Sequence, residues 1–224
     1  ENRLGEFATR ETDDREIAAA FMAARLPDWL TRRLALLLEH TLCPLAVRSS
    51  SLLEDAQFQP FAGIYRTVML PNNHPEPTVR LQRLVNAVKL VYASTYFESP
   101  KAFARSTSHR IEEEKMAVVI QHVTGQACGE YFFPAMSGVV QSYNFYPIAH
   151  MKPEEGIAHI ALGLGKTVVE GGTSLRFSPK YPQFMPQFST VEDILKNAQR
   201  TFYALKMSDF PEDLSIGEDP TLAR

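Results

Sequence analysis

Near Met116 the spacing of apolar residues in this 224-residue chain changes, and that change limits the folds open to it. Upstream, TVRLQRLVNAVKLVYASTYF carries apolar residues at Leu81, Leu84, Val85, Val88 and Val91, the spacing of one helix face. LPDWLTRRLALLLEH repeats the pattern at Leu30, Leu34, Leu37 and Leu38, predicting a helix that ends near His40. CPLAVRSS reads as a short buried strand, and GIYRTVML as a strand paired with its neighbour in a hairpin or meander. LPNNHPEP is a turn, and SPKAFARSTSHRIE holds a short helix. From Met116 the pattern is β-like, in KMAVVIQHV, CGEYFFPAMSGVVQSYNFYP and GIAHIALGL. A last helix is predicted in TVEDILKNAQRTFYALKM, with Ser189 or Thr190 as its cap. Separate helices around a run of strands give an α+β fold with antiparallel sheet.

Composition excludes several jobs. With 45% hydrophobic and 22% charged residues the chain can bury a substantial core. A net charge of -3 supplies no basic footprint for nucleic acid or an anionic membrane. No apolar run reaches the roughly eighteen residues of a membrane span, and no signal pattern opens the chain, so a cytoplasmic location is expected. Cys43 and Cys128 stand far apart without Cys or His neighbours at metal-ligand spacing, and read as two partly buried thiols. The polar ends and the initial Glu suggest a piece of a longer protein.

Three stretches could carry chemistry. In LAVRSSSLLEDAQFQPFAGIYRTVMLPN, Arg48 leaves a buried strand where its planar fork could grip phosphate oxygens. Gly63 would let backbone amides approach a phosphate, and Thr67 would add a hydroxyl. An arginine at a strand end is also commonly a solvated or salt-bridged structural residue. In HIALGLGKTVVEGG, Gly163 and Gly165 sit between a strand and a helix-capable segment, either an anion-binding turn or simply a tight one. In MAVVIQHVTGQ, a strand ends in Gln121, His122 and Val123, either a connector whose backbone reads a base edge or a core strand leaving its sheet.

Taken in order, these pieces resemble the nucleotide-binding region of the phosphoenolpyruvate synthase and pyruvate phosphate dikinase family. That family's A-V-R-S-S-A-x-x-E-D, spacer and F-A-G-x-x-x-T are met by AVRSSSLLED and FAGIYRT, matching at Arg48, Ser49, Ser50, Glu54, Asp55, Phe61, Ala62, Gly63 and Thr67. AVVIQHV echoes its V-x-V-Q-x-M-V, MSGVVQSY its S-G-V-x-x-S/T, and GLGKTVVEGG its G-L-G-E-x-V-V-x-G. The motifs cover residues 45–172. The resemblance implies a partial ATP-grasp-like domain with mixed or antiparallel sheet and flanking helices. It implies ATP as ligand, and magnesium in the complete protein. The phosphoryl group would pass to a histidine on a separate swivelling domain, for transfer to pyruvate or a related acceptor. Arg48 would contact the ATP phosphates in a catalytic role, Gly63 and Thr67 would belong to a lid loop, and Gln121, His122 and Val123 would form the hinge beside adenine.

The chain departs from the family's pattern in places. Lys166 stands where many relatives carry Glu, and His122 and Val123 replace part of the hinge sequence. The family's lysine segment before the first motif and its acidic strand with Gln-x-Arg after the last have no counterpart in residues 1–224; Gln199 and Arg200 are adjacent and sit on an expected helix. The chain by itself is therefore expected to be catalytically incompetent. STSHR around His109 is similar to the family's phosphoacceptor, but its flanks differ and it reads as a surface histidine; His122, His150 and His159 read as structural. A nucleotide-sensing or scaffold module without catalysis is the alternative to the phosphotransferase reading.

Overall fold

The helical spacing upstream of Met116 becomes helix, and the β-like spacing after it becomes strand, in the computed structural model, which describes residues 4–51, 54, 63–106, 115–169, 171–208 and 222–223. The chain forms two compact units, the first of residues 1–123 with 207–222 and the second of residues 124–206 with 223–224. Asp55, Phe61, Ala62 and His109 lie outside the described residues.

Unit 1 runs α1 (Leu4–Arg10), α2 (Asp14–Ala23), α3 (Asp28–Glu39), β1 (Leu45–Ser51), β2 (Thr67–Leu70), α4 (Pro77–Ser94), α5 (Glu98–Ser106) and β3 (Met116–His122). Its three strands form an antiparallel sheet in the order β2-β1-β3. Helix α4 packs against all three strands and against α2 and α3. Pro77 suits the first turn, where an N–H would have no intrahelical acceptor. The residues at Leu84, Ala87, Val88 and Val91 are buried with Leu45, Val47, Val68 and Leu70 of the sheet in one core. Side chains such as Ile17, Leu45, Leu84 and Val91 are completely buried, each worth about 2 kcal/mol of apolar transfer.

The helices α1 and α2 come from a polar N-terminal stretch with no obvious apolar stripe. The local signal for α2 is its cap: Asp13 accepts the Arg15 N–H at 2.8 Å ahead of Asp14 and Glu16 in the first turn. Three cations borne by α4 and α5 then serve the C-terminal ends of the three preceding helices. Lys101 Nζ donates to the Ala8 carbonyl at 2.6 Å and to the Glu11 carbonyl after α1, and Lys89 Nζ donates to the Met22 carbonyl of α2 at 2.8 Å. Burial pushes both ammonium groups below their ordinary 10.5. Arg80, 8% exposed, donates to Leu38 and Thr41 carbonyls at 2.6 and 2.7 Å, just at and beyond the end of α3. Its Nε donates to Asn72 Oδ1 at 3.0 Å, while Asn72 Nδ2 donates to the Thr41 and Cys43 carbonyls. Each cation meets the negative end of a helix and adds a donor to carbonyls at or just beyond it.

Unit 2 contains β4 (Gln126–Cys128), β5 (Tyr131–Phe133), β6 (Ser137–Gln141), β7 (Ile157–Ala161), α6 (Lys166–Val169), β8 (Leu175–Phe177), α7 (Val191–Asn197) and β9 (Ala204–Lys206). Strands β4, β5 and β9 pair antiparallel in that spatial order, and β6, β7 and β8 form a separate antiparallel sheet. Among its described residues the buried apolar side chains are few, chiefly Ala158, Ala161, Leu164, Ala204 and Leu205, while Val140, Phe145 and Tyr146 are exposed. The architecture is α+β with antiparallel sheets, as expected. No helix among the described residues is long and apolar enough to cross a membrane.

Two expectations are corrected. The last helix begins at the cap foreseen, with Thr190 and Asp193 forming a reciprocal box, but stops at Asn197. Ala198 is extended, and Ala204–Lys206 pairs with β5 instead, placing Leu205 opposite Phe132 with no exposed surface. A sheet partner outweighs helical spacing there. Cys128 lies exposed on β4 rather than partly buried; Cys43 is half-buried.

Replacing Arg80 by Met keeps the apolar stem and leaves three buried acceptors short of a donor. The expected loss is about 3 kcal/mol, seen as a lower urea midpoint at unchanged slope.

Candidate functional site

Side chains alternate across a strand, and residues opposite each other in an antiparallel pair share a face. In β1, Leu45, Val47, Ser49 and Ser51 point into the core, and Ala46, Arg48 and Ser50 point the other way. Arg48 lies opposite Thr67 on one side and Val119 on the other, and Ala46 lies between Met69 and Gln121. Arg48, Thr67 and Gln121 therefore occupy the same face of one sheet, in two rows about 7 Å apart. All three are exposed, as are Ser50 and Ala117. Among the described residues Arg48 has no hydrogen-bond or ion-pair partner, so its guanidinium is available on that face.

The other expected site residues fall differently. Gly63 has φ +82°, four residues ahead of Thr67, and a Cβ there would meet nothing within 4 Å. Backbone conformation, rather than lack of space, favours glycine at that turn. His122, the last residue of β3, is opposite Leu45, so it belongs to the helix-covered side of the sheet, and it is exposed. Val123 N–H donates to the Pro44 carbonyl at 2.9 Å, which occupies the donor a ligand in a hinge would use. The sheet thus brings Arg48, Thr67 and Gln121 together, and leaves His122 on the opposite face.

The glycine turn of unit 2 is explained by packing. Gly163 has φ +80°, and a Cβ would come within 2.6 Å of Phe202 Cδ2 and of the Tyr203 carbonyl oxygen. The Leu164 N–H donates to that Tyr203 oxygen at 2.8 Å, and the Leu162 N–H to Gln199 Oε1 at 2.7 Å. Gln199 Nε2 returns a bond to the Leu162 carbonyl at 3.0 Å. These two amides of the turn are occupied by protein acceptors, which favours the tight-turn reading over anion binding. Gly165 has room for a side chain, its nearest neighbour being Ser137 at 3.9 Å. Lys166 Nζ lies 4.9 Å from the centre of the Tyr203 ring, so the charge reversed relative to the family's glutamate rests on an aromatic face. Sequence reading missed Gln199 as the partner of this turn, because its contact with Leu162 spans 37 residues.

Among the described residues, no three His, Cys, Asp or Glu side chains gather as a metal site. The carboxylates described do not by themselves fit a magnesium ion, which takes near-octahedral oxygen ligands. His159, on β7 between Val139 and Arg176, is held below its ordinary 6.5 by burial and then by the Arg176 charge.

The sequence profile of the family described as pyruvate phosphate dikinase, AMP/ATP-binding domain, matches residues 2–213. A Bacillus subtilis (strain 168) protein described as the uncharacterized phosphotransferase YvkC is 29% identical over 174 residues. That alignment covers 78% of this chain and 18% of the relative, so the chain spans under a fifth of that protein's length.

Two outcomes are expected in unit 2. Gly163→Ala combines a left-handed backbone with a steric clash against backbone, and should cost about 2 to 4 kcal/mol in chemical denaturation. The unfolded chain binds the His159 proton before the folded chain does, so stability should fall as pH drops below about 6.5. His159→Gln should lose less stability than the parent between about pH 7.5 and pH 5.5 in the same assay.

Proposed function

Because the chain belongs to the pyruvate phosphate dikinase AMP/ATP-binding domain family, we propose that it is an ATP-binding module of a longer cytoplasmic phosphotransferase, built on an ATP-grasp-like scaffold. The observation that carries this reading is the face shared by Arg48, Thr67 and Gln121 on one sheet. Arg48 on the central strand is the phosphate ligand. Its two-pronged guanidinium meets pairs of phosphate oxygens in a charge-assisted, bidentate contact. Thr67 on β2 adds a hydroxyl donor beside it, and the left-handed turn at Gly63 leads the chain to that position. Gln121 on β3, one row along and on the other side of β1, offers an amide for the nucleotide's more distant polar groups. His122, on the other face, and Val123, whose N–H is taken, contribute through backbone placement at the end of β3.

Phosphoryl transfer needs chiefly positioning and charge neutralisation, and one arginine supplies only part of that. Magnesium, when present, would supply further neutralisation of phosphate charge, with its protein ligands coming from outside the residues described. The acceptor in this proposal is a histidine on a swivelling domain elsewhere in the protein, with pyruvate or a related compound downstream.

Calorimetric titration of magnesium ATP into the 224-residue chain and into the full-length protein tests the proposal. Binding at either length supports it, and absence of binding by folded protein at both lengths favours a nucleotide-free scaffold. Arg48→Ala should weaken binding by about 1.5 to 3 kcal/mol, the usual worth of a charge-assisted hydrogen bond. Equal affinity of variant and parent would remove Arg48 from the phosphate site.

A further inference from the structure

Glu54 makes three contacts with the end of β1 that nucleotide binding does not itself require. Ser49 Oγ donates to Glu54 Oε1 at 2.8 Å, the Ser51 N–H donates to Glu54 Oε2 at 2.9 Å, and the Glu54 N–H donates to Ser51 Oγ at 3.3 Å. The last two form a reciprocal Ser-x-x-Glu box of the kind that starts a helical turn. The first reaches back along the strand to a hydroxyl on the core side. Ser49 and Ser51 are only 6% and 4% exposed, so the carboxylate satisfies polar groups that burial would otherwise leave expensive.

Register explains why the strand needs this hold. Among the described residues strand β2 pairs with Leu45 through Arg48, whereas β3 pairs with β1 all the way to Ser51. Among the described residues Arg48 is thus the last residue of β1 with a partner on both sides, and the three serines after it have a partner on β3 alone. A strand's side chains alternate with a period of two, so whatever holds Ser49 and Ser51 inward holds Arg48 and Ser50 outward.

We propose that Glu54 is a positioning residue: it clamps the singly paired end of β1 and so fixes the Arg48 guanidinium on the open face, without touching the ligand. The proposal rests on the reading of Arg48 as a phosphate ligand. It accounts for a serine run followed by glutamate, since Ser49 and Ser51 serve the clamp while Ser50 shares Arg48's face.

Titration of magnesium ATP into the full-length protein and its Arg48→Ala, Glu54→Ala and Glu54→Gln variants, with the Arg48→Ala/Glu54→Ala double variant, tests it. Glu54→Ala is expected to bind about tenfold more weakly, the loss of roughly one hydrogen bond's worth of preorganisation. Glu54→Gln should stay within about threefold of the parent, because its carboxamide oxygen still accepts from Ser51 and its NH2 group can donate to Ser49 Oγ. The double variant should bind no more weakly than Arg48→Ala, since the clamp has nothing left to position. A general loss of structure would instead lower affinity in either background. Parent-like binding by folded Glu54→Ala while Arg48→Ala is weakened, or a double variant whose loss is the product of the single losses, overturns the proposal. Parent-like binding by Arg48→Ala overturns the nucleotide reading itself, and the clamp's role with it. Should Glu54→Ala fail to fold by circular dichroism, Ser49→Ala decides: a loss of about threefold that vanishes beside Arg48→Ala supports the clamp, and no loss overturns it.

Discussion

Unit 1 depends on a buried cation that meets no carboxylate among the described residues. Arg80 sits among the Leu38 and Thr41 carbonyls and the Asn72 side chain, and Asn72 in turn holds Thr41 and Cys43. Four pieces of chain meet there: the end of α3, the entry to β1, the exit from β2 and the first turn of α4. An isolated charge in a low dielectric would be costly, and the arrangement is tolerable because the guanidinium donates to carbonyls at the negative end of α3 and to the Asn72 amide oxygen. Asn72, with φ +54°, accepts a backbone conformation that most residues avoid in order to complete the set. Lys89 and Lys101 repeat the idea at the ends of α2 and α1. The helices are thus tied by their C-terminal ends to α4 and α5, and α4 lies on the sheet.

That arrangement delivers β1 as a central strand with one face closed. Once Leu45 and Val47 are committed to the core, the pleat leaves Arg48 no choice of side. Thr67 and Gln121 reach the same face through pairing, although they lie 19 and 73 residues from Arg48 in sequence. Chemistry on that face is therefore a product of strand register, which the core and the Glu54 contacts hold from two sides.

Unit 2 follows a different economy. Its glycine turn is shaped by Phe202 and Tyr203 packing close to Gly163, and its polar groups are met by Gln199 and the Tyr203 carbonyl. A pattern that in sequence suggested an anion cradle is here a packed corner. Lys166 beside the Tyr203 ring fits that role, since a cation on an aromatic face is a local contact that asks nothing of a ligand.

The amino-acid order alone determined the α+β class, the long helix upstream of β3, β1 and a cap at Ser189 or Thr190, because each rests on short-range spacing or on a side chain bonding its own backbone neighbours. Ordered motifs also led it to group Arg48, Gly63, Thr67, Gln121, His122 and Val123 as one expected nucleotide site. The faces of β1 and β3 were decided by tertiary structure, which put Gln121 beside Ala46 and sent His122 to the opposite side, one residue along the same strand. So were the end of α7 at Asn197, where pairing of Leu205 with Phe132 displaced an expected helix, and the three cations that serve helix ends 42 to 93 residues away. Local free energies of a few tenths of a kcal/mol per residue can be read along a chain. Register, buried charge and close packing are each worth several times that, and they exist only when distant segments meet.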